Sequence, residues 1–103
     1  MKKLDDKNFH RAAKAEKLVV MFSAPWAGPC NLVRPTFEEA ASRLGNQIDF
    51  AEFCVDDNPS VPEQFGVRSL PCFISFEEGK PTAMKAGAIP EDYMMEWLRG
   101  MVE

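Results

Sequence analysis

The segment with the clearest chemical potential is WAGPC, at positions 26–30. It places Cys30 three residues after Ala27, behind a Gly-Pro pair that favours a tight turn. Cysteine thiolates attack disulfide bonds, and proteins that use this reaction often carry two cysteines spaced as Cys-X-X-Cys. Alanine occupies the first of these positions here. The segment is therefore either a redox site whose attacking sulfur is missing or a site that never performed redox chemistry.

The three cysteines, Cys30, Cys54 and Cys72, are odd in number and widely spaced. This pattern disfavours a disulfide framework and a zinc site, so we expect free thiols in a reducing compartment, with no metal and no cofactor. Cys72 has two interpretations: a thiol that pairs with Cys30 or shares a metal with it, or a small, half-buried residue that starts a strand. The second is favoured, as it is for Cys54 in an inner strand, because buried free cysteines usually act as small hydrophobes.

The composition fits one small protein domain. The chain has 103 residues, of which 46% are apolar, enough for a single core within one domain, residues 1–103. Twelve Lys and Arg against sixteen Asp and Glu give a net charge of -4, and the two signs are interleaved along the chain, which is not typical of nucleic-acid binding. No segment has the ~20 apolar residues of a membrane span or the apolar core of a secretory signal. We expect a cytoplasmic monomer that binds neither nucleic acid nor membranes.

The elements that position WAGPC follow from hydrophobic periodicity. Residues 18–22, LVVMF, form an apolar run typical of a central, parallel strand that is buried on both faces. Apolar residues then recur at helical spacing from Cys30 to the stop signal Gly45-Asn46, which predicts a long helix. WAGPC therefore falls where a buried strand ends and a helix begins.

The remaining N-terminal elements are shorter. Residues 2–4 can form an edge strand, and Asp5 or Asp6 can cap a first helix that carries Phe9 on its apolar face. Residues 48–55 suit an inner strand because they are apolar on both faces.

The C-terminal part predicts a short helix, a hairpin and a last helix. Asn58 can cap a helix that begins at Pro59, and residues 72–76 with the segment after EEGK form an antiparallel hairpin. A helix that begins at Pro90 carries an apolar stripe of Tyr93, Met94, Trp97, Leu98 and Met101. Alternating elements that end in a hairpin indicate an α/β fold with a mixed sheet, parallel in its first part and antiparallel in its last.

This element order, with WAGPC at the strand-helix junction, closely resembles the thioredoxin family over nearly the whole chain. The family motif is Trp-Cys-Gly-Pro-Cys, and further matches are Pro35, VDDNP, FGVRSLP, the EEGK turn and AGA at 86–88. The resemblance implies the thioredoxin fold, a central mixed sheet of four to five strands flanked by four helices. It also implies a cis peptide bond between Leu70 and Pro71, facing the redox motif.

The resemblance implies the chemistry of a protein-disulfide reductase. The first cysteine attacks a disulfide in a partner protein, the second resolves the mixed disulfide, and a thioredoxin reductase supplies electrons. In this chain Cys30 is at the resolving position, while Ala27 occupies the attacking position and Met21 replaces a buried aspartate that assists proton transfer. The implied docking surface consists of Trp26, Gly28, Pro29, Leu70, Pro71, Gly87 and Ala88.

Three hypotheses remain open from the sequence. In the first, the chain is a thioredoxin whose nucleophile has been replaced by Ala27 through engineering, so that it is redox-inactive. In the second, it is a natural thioredoxin-like binding module without catalysis, which Met21 favours. In the third and weakest, Cys30 and Cys72 form a two-thiol site with unusual spacing, in which the thiols pair with each other or hold a metal jointly.

Overall fold

The computed structural model describes residues 1–103, which form five strands and four helices. The strands are β1 (Lys2–Leu4), β2 (Leu18–Ser23), β3 (Asp49–Cys54), β4 (Cys72–Glu77) and β5 (Lys80–Ala86). The helices are α1 (Phe9–Ala12), α2 (Gly28–Leu44), α3 (Ser60–Gln64) and α4 (Glu91–Gly100). The predicted fold, a mixed sheet with four helices, is confirmed, and the sheet has five strands in the order β1-β3-β2-β4-β5.

Strand β2 is the centre of the sheet, and all six of its residues are buried. It is parallel to β3 on one edge and antiparallel to β4 on the other. The predicted parallel pairing is therefore confirmed on the β3 side and wrong on the β4 side. Burial on both faces explains the apolar run, since neither face meets water. The C-terminal end of β2 is thereby fixed at the centre of the sheet, two residues before WAGPC.

Two apolar clusters cover the two faces of the sheet. Residues of α1 and α3 pack on one face, while residues of α2 and α4 pack on the other. Phe37 of α2 illustrates the second cluster: its ring centroid lies 5.4 Å from those of both Phe50 and Phe73. This packing holds α2 against the sheet and so fixes the position of its first turn.

Of the two predicted caps for the first helix, Asp5 is confirmed and Asp6 is wrong. The Asp5 carboxylate accepts the N–H groups of Lys7 and Asn8, both at 2.9 Å, in the turn that leads into α1, and the Asn8 side chain accepts the Asp5 N–H at 2.7 Å. The predicted cap of α3 by Asn58 is also wrong, because no side-chain cap bond is made at the residue that precedes α3, Pro59.

The Asp6 carboxylate instead accepts hydrogen bonds from the backbone N–H groups of Ser60 and Val61, at 3.0 and 2.9 Å, at the start of α3. The Asn58 side chain accepts the Asp6 N–H at 3.1 Å, so the N-terminal segment caps α3 across more than fifty residues of chain.

Helix α4 docks through most of the predicted stripe: Met94 and Leu98 are buried, and Trp97 and Met101 pack against the same cluster. Its buried residues are Met94, Met95 and Leu98, whereas Tyr93 is exposed and its hydroxyl accepts a hydrogen bond from Lys85. The aromatic ring of Tyr93 lies beneath the same ammonium group, 5.4 Å from it. A tyrosine can satisfy its polar end at the surface, which is why it occupies the border of the stripe.

Candidate functional site

The WAGPC segment forms the junction between β2 and α2. Ala27 is the N-cap residue of α2, with extended backbone angles, and Pro29 lies in the first turn. Two hydrogen bonds shape the turn: the Ala27 N–H donates to the carbonyl of Ala24 at 3.1 Å, and the Cys30 N–H donates to the carbonyl of Ala27 at 3.0 Å. A side chain at position 27 therefore meets the positive end of the helix dipole, which favours a negatively charged sulfur.

The thiol of Cys30 is enclosed behind this turn. Cys30 is fully buried and packs with Ala24 and Ala27, with Val55 and Leu70 alongside. Ala27 itself is only 7% exposed, so the position of the missing nucleophile is less accessible than its place in the motif suggests. The structure thus brings Ala27 and Cys30 together in one small apolar cluster.

Beside Ala27 lies a groove of about 550 Å³. Trp26 forms part of its wall: the indole is 71% exposed and donates from Nε1 to a carboxylate oxygen of Asp56 at 2.9 Å. That hydrogen bond fixes the orientation of a large exposed ring, which is typical of a binding surface rather than of core packing. The lining residues are Trp26, Ala27, Gly28, Pro29, Val55, Pro62, Val67, Arg68, Ser69 and Leu70.

The opposite wall belongs to the segment that precedes β4. The peptide bond between Leu70 and Pro71 is cis, the geometry that the resemblance implies. The carbonyl of Pro71 accepts a hydrogen bond from the Gly87 N–H at 2.8 Å, and Gly87 adopts a φ of 91°, which favours glycine. Of the seven residues of the predicted docking surface, Trp26, Gly28, Pro29 and Leu70 line the groove, while Pro71, Gly87 and Ala88 do not.

Glu52 of β3 is a buried carboxylate that the sequence pattern alone does not identify as a site residue. It is 6% exposed, and in the sheet register it lies directly opposite Met21. Its oxygens accept hydrogen bonds from Ser23 Oγ at 2.6 Å, Arg34 Nη2 at 2.8 Å and Lys3 Nζ at 3.1 Å. The signal in the sequence was a lone charge within the otherwise apolar FAEFC, but the partners come from three distant segments.

The Glu52 network adjoins the Cys30 turn through α2. Arg34 lies one helical turn after Cys30, on the same side of α2, and its Nη1 also donates to the Asn31 side chain at 2.6 Å. Burial would raise the pKa of Glu52, but the hydrogen bonds from Arg34, Ser23 and Lys3 outweigh burial and lower it to about 2. The carboxylate therefore stays ionised, and it is a poor proton acceptor.

Lowering the pH should remove the stability that the ionised Glu52 contributes. Its folded-state pKa of about 2 lies below the ordinary 4.5, so the stabilisation is present above about pH 4.5 and is lost as the pH falls toward 2. The shift corresponds to about 3 kcal/mol. We expect urea unfolding to show that the free energy of unfolding of the unmodified chain falls in this pH range, while that of E52Q does not. The two free energies should therefore converge in acid. A difference that stays constant from pH 6 to pH 2 would contradict the assignment.

The other two cysteines lie outside the Cys30 cluster. Cys72 is buried in the cluster on the α1 side of the sheet, where burial raises the pKa of its thiol. Cys54 ends β3 and is partly buried, and all three cysteines are free. Cys72 therefore acts as a small apolar residue at the start of β4, and the structure does not place it in one site with Cys30.

Comparison with known proteins identifies the family. The thioredoxin family model matches residues 1–100. The chain belongs to the thioredoxin family. It is 36% identical to a thioredoxin of Rhodospirillum rubrum, over 99% of this chain and all of that protein. It is 34% identical to a thioredoxin of Alicyclobacillus acidocaldarius, over 97% of this chain and 96% of that protein. The solved structure of a thioredoxin from Malassezia sympodialis has the same fold, with a TM-score of 0.87 and 24% identity over 96% of this chain and 89% of that one.

Membership of the thioredoxin family makes this chain a thioredoxin-like protein of the redox class, and the Rhodospirillum rubrum relative matches 99% of it. None of the four helices has the length and apolar character that crossing a bilayer requires. No group of three or more histidine, cysteine or acidic side chains is arranged to hold a metal ion. The groove beside the α2 N-terminus is accordingly the candidate functional site.

Proposed function

We propose that this chain is a thioredoxin that binds disulfide-containing proteins in the groove but is blocked in the redox step at Ala27. The observation that carries the proposal is the position of Ala27: N-cap of α2, in contact with Cys30 and in the wall of the groove. An attacking sulfur at this position would face a bound disulfide and the helix dipole together. A methyl group has no electron pair to donate, so no mixed disulfide forms.

The other groove residues have binding roles in this proposal. Trp26, Gly28, Pro29 and Leu70 form the contact surface, Pro71 shapes the segment opposite α2, and Gly87, which Ala88 follows, holds that segment through its N–H bond to the Pro71 carbonyl. Cys30 is the resolving thiol, which has no mixed disulfide to resolve in this chain. A thioredoxin reductase is the electron donor of the intact site, and the cytoplasm, where thiols stay reduced, is its compartment.

A second candidate function is a natural protein-binding module that has no redox chemistry. Met21 and Glu52 favour it, because the only carboxylate beside Met21 is held ionised by Arg34 and cannot readily accept a proton. A lineage released from thiol chemistry could lose both the attacking cysteine and the proton acceptor.

The A27C variant separates these two functions. The restored thiolate attacks a disulfide-linked peptide dimer, breaking its S–S bond, forming a mixed disulfide and releasing one peptide thiolate. Cys30 then attacks the mixed disulfide, releases the second peptide thiol and leaves an oxidised pair in the protein, which dithiothreitol reduces again. We expect A27C to accelerate dithiothreitol-driven reduction of the dimer, while the unmodified chain stays at the background rate.

The matched control is A27S, which restores a polar side chain without a thiol. A rate for A27C that equals those of A27S and the unmodified chain would contradict the blocked-thioredoxin proposal and favour the binding module. Circular dichroism of all three proteins checks that the fold is retained.

A further inference from the structure

The groove contains a single charged lining residue, Arg68, although the chain as a whole carries a net charge of -4. The Arg68 side chain is exposed and takes part in none of the four ion pairs of the molecule. Of the four other arginines, Arg34 and Arg43 each pair with a glutamate. The cation at the groove is therefore available to a bound molecule.

The backbone of this arginine and of the two residues that follow it is also unpaired. The N–H and carbonyl groups of Arg68, Ser69 and Leu70 make no hydrogen bond with other backbone groups, and these residues lie outside every strand and helix. Arg68 and Ser69 are exposed and Leu70 is partly buried. Unpaired backbone groups beside an apolar groove can pair with an extended segment of another protein, as an added strand.

One acidic side chain, Asp56, contacts the groove wall, and it is already engaged. The Asp56 carboxylate accepts the Trp26 indole N–H and does not line the groove. A segment that lies along residues 68–70 therefore meets an apolar floor and one positive charge. Side chains that face each other across paired strands lie about 5 Å apart, close enough for an ion pair.

We propose that the groove selects extended protein segments that carry an aspartate or glutamate opposite Arg68. This inference rests on the proposed function and names the class of partner segment that the same groove accepts. Because the pair is exposed to solvent, its effect is modest: a preference of about two- to fivefold over a neutral residue, which decreases as salt is added.

The test uses the unmodified chain, whose Ala27 prevents covalent capture, and short disulfide-free peptides of extended, valine- and threonine-rich sequence. One glutamate is moved through the alternate positions of the peptide, and each version has matched glutamine and lysine counterparts. Dissociation constants come from NMR titrations that follow the amide signals of residues 68–70. The best glutamate peptide should bind about two- to fivefold more tightly than its glutamine counterpart.

Two variants of Arg68 and one control complete the test. The preference for glutamate should disappear in R68Q and change to a preference for lysine in R68E. It should persist in R99Q, which removes an exposed arginine of α4 outside the groove. The proposal is wrong if R68Q retains the preference, if no preference exists in the unmodified chain, or if no peptide shifts the amides of residues 68–70.

These outcomes are separable from the proposed redox function. If A27C reduces the peptide dimer while the glutamate preference is absent, only the inference about Arg68 fails. If the preference follows Arg68 while A27C is inert, the groove still selects acidic segments and the blocked-thioredoxin proposal fails.

Discussion

An A27C/C30A variant mixed with the disulfide-linked peptide dimer is expected to accumulate as a covalent mixed disulfide. The thiol introduced at position 27 attacks one sulfur of the dimer, and one peptide leaves as a thiolate, so no other oxidant or reductant is needed. Release of the second peptide requires a thiol at position 30, beside position 27 in the same cluster, and the variant lacks it. Mass spectrometry should show most of the protein heavier by one peptide.

Three comparisons define this result. The unmodified chain and C30A should gain no mass, because neither presents a sulfur at position 27. A27C alone should pass through the adduct without accumulating it, since Cys30 resolves it. Dithiothreitol should return the trapped variant to its original mass. If C30A forms the same adduct, then Cys54 or Cys72 is the reactive thiol and the assignment of position 27 is wrong.

Replacing Arg34 by glutamine is expected to lower the free energy of unfolding by about 3 kcal/mol at pH 7. Arg34 contributes two donors to Glu52, whose side chain is only 7% exposed. Removing one partner of a buried pair leaves a charge without compensation, which commonly costs about 3–5 kcal/mol. Ser23 and Lys3 still donate to the carboxylate, so the loss should lie near the lower limit. Urea unfolding followed by circular dichroism measures it.

The same helix provides a matched control, R43Q. Arg43 donates to Glu39 at 3.0 Å, as Arg34 does to Glu52, but both side chains of that pair are 54% exposed. Surface pairs of this kind contribute about 0.3–0.5 kcal/mol, so R43Q should be nearly neutral. Equal losses for R34Q and R43Q would show that burial of Glu52 does not amplify the interaction. The double variant E52Q/R34Q should be more stable than R34Q, because it leaves no unpaired charge.

The parts of the fold that could be predicted from the sequence depend on local patterns. The run LVVMF predicts a buried strand, and WAGPC at the end of that run predicts a turn into a helix, as the structure has it. The turn EEGK likewise predicts the hairpin of β4 and β5. Turn chemistry and periodicity act over a few residues, so a single segment contains the information needed.

Interactions between distant segments could not be predicted in this way. Glu52 appears in the sequence as a lone charge in a strand, and its ion pair with Arg34 exists only because α2 packs across β3. Asp6 has the pattern of a cap for the helix that follows it, yet its carboxylate reaches α3. The groove combines residues from four separate segments, so Arg68 is a binding candidate only once the fold brings it there.

The Asp6 cap has a practical consequence for anyone who shortens this chain. Asp6 holds the first N–H groups of α3, and the same helix contributes Pro62 to the groove. Trimming the first few residues, or fusing a bulky tag close to them, would therefore disturb the part of the groove that α3 contributes as well as the β1 edge. Affinity tags and immobilisation linkers for binding studies belong at the C-terminus.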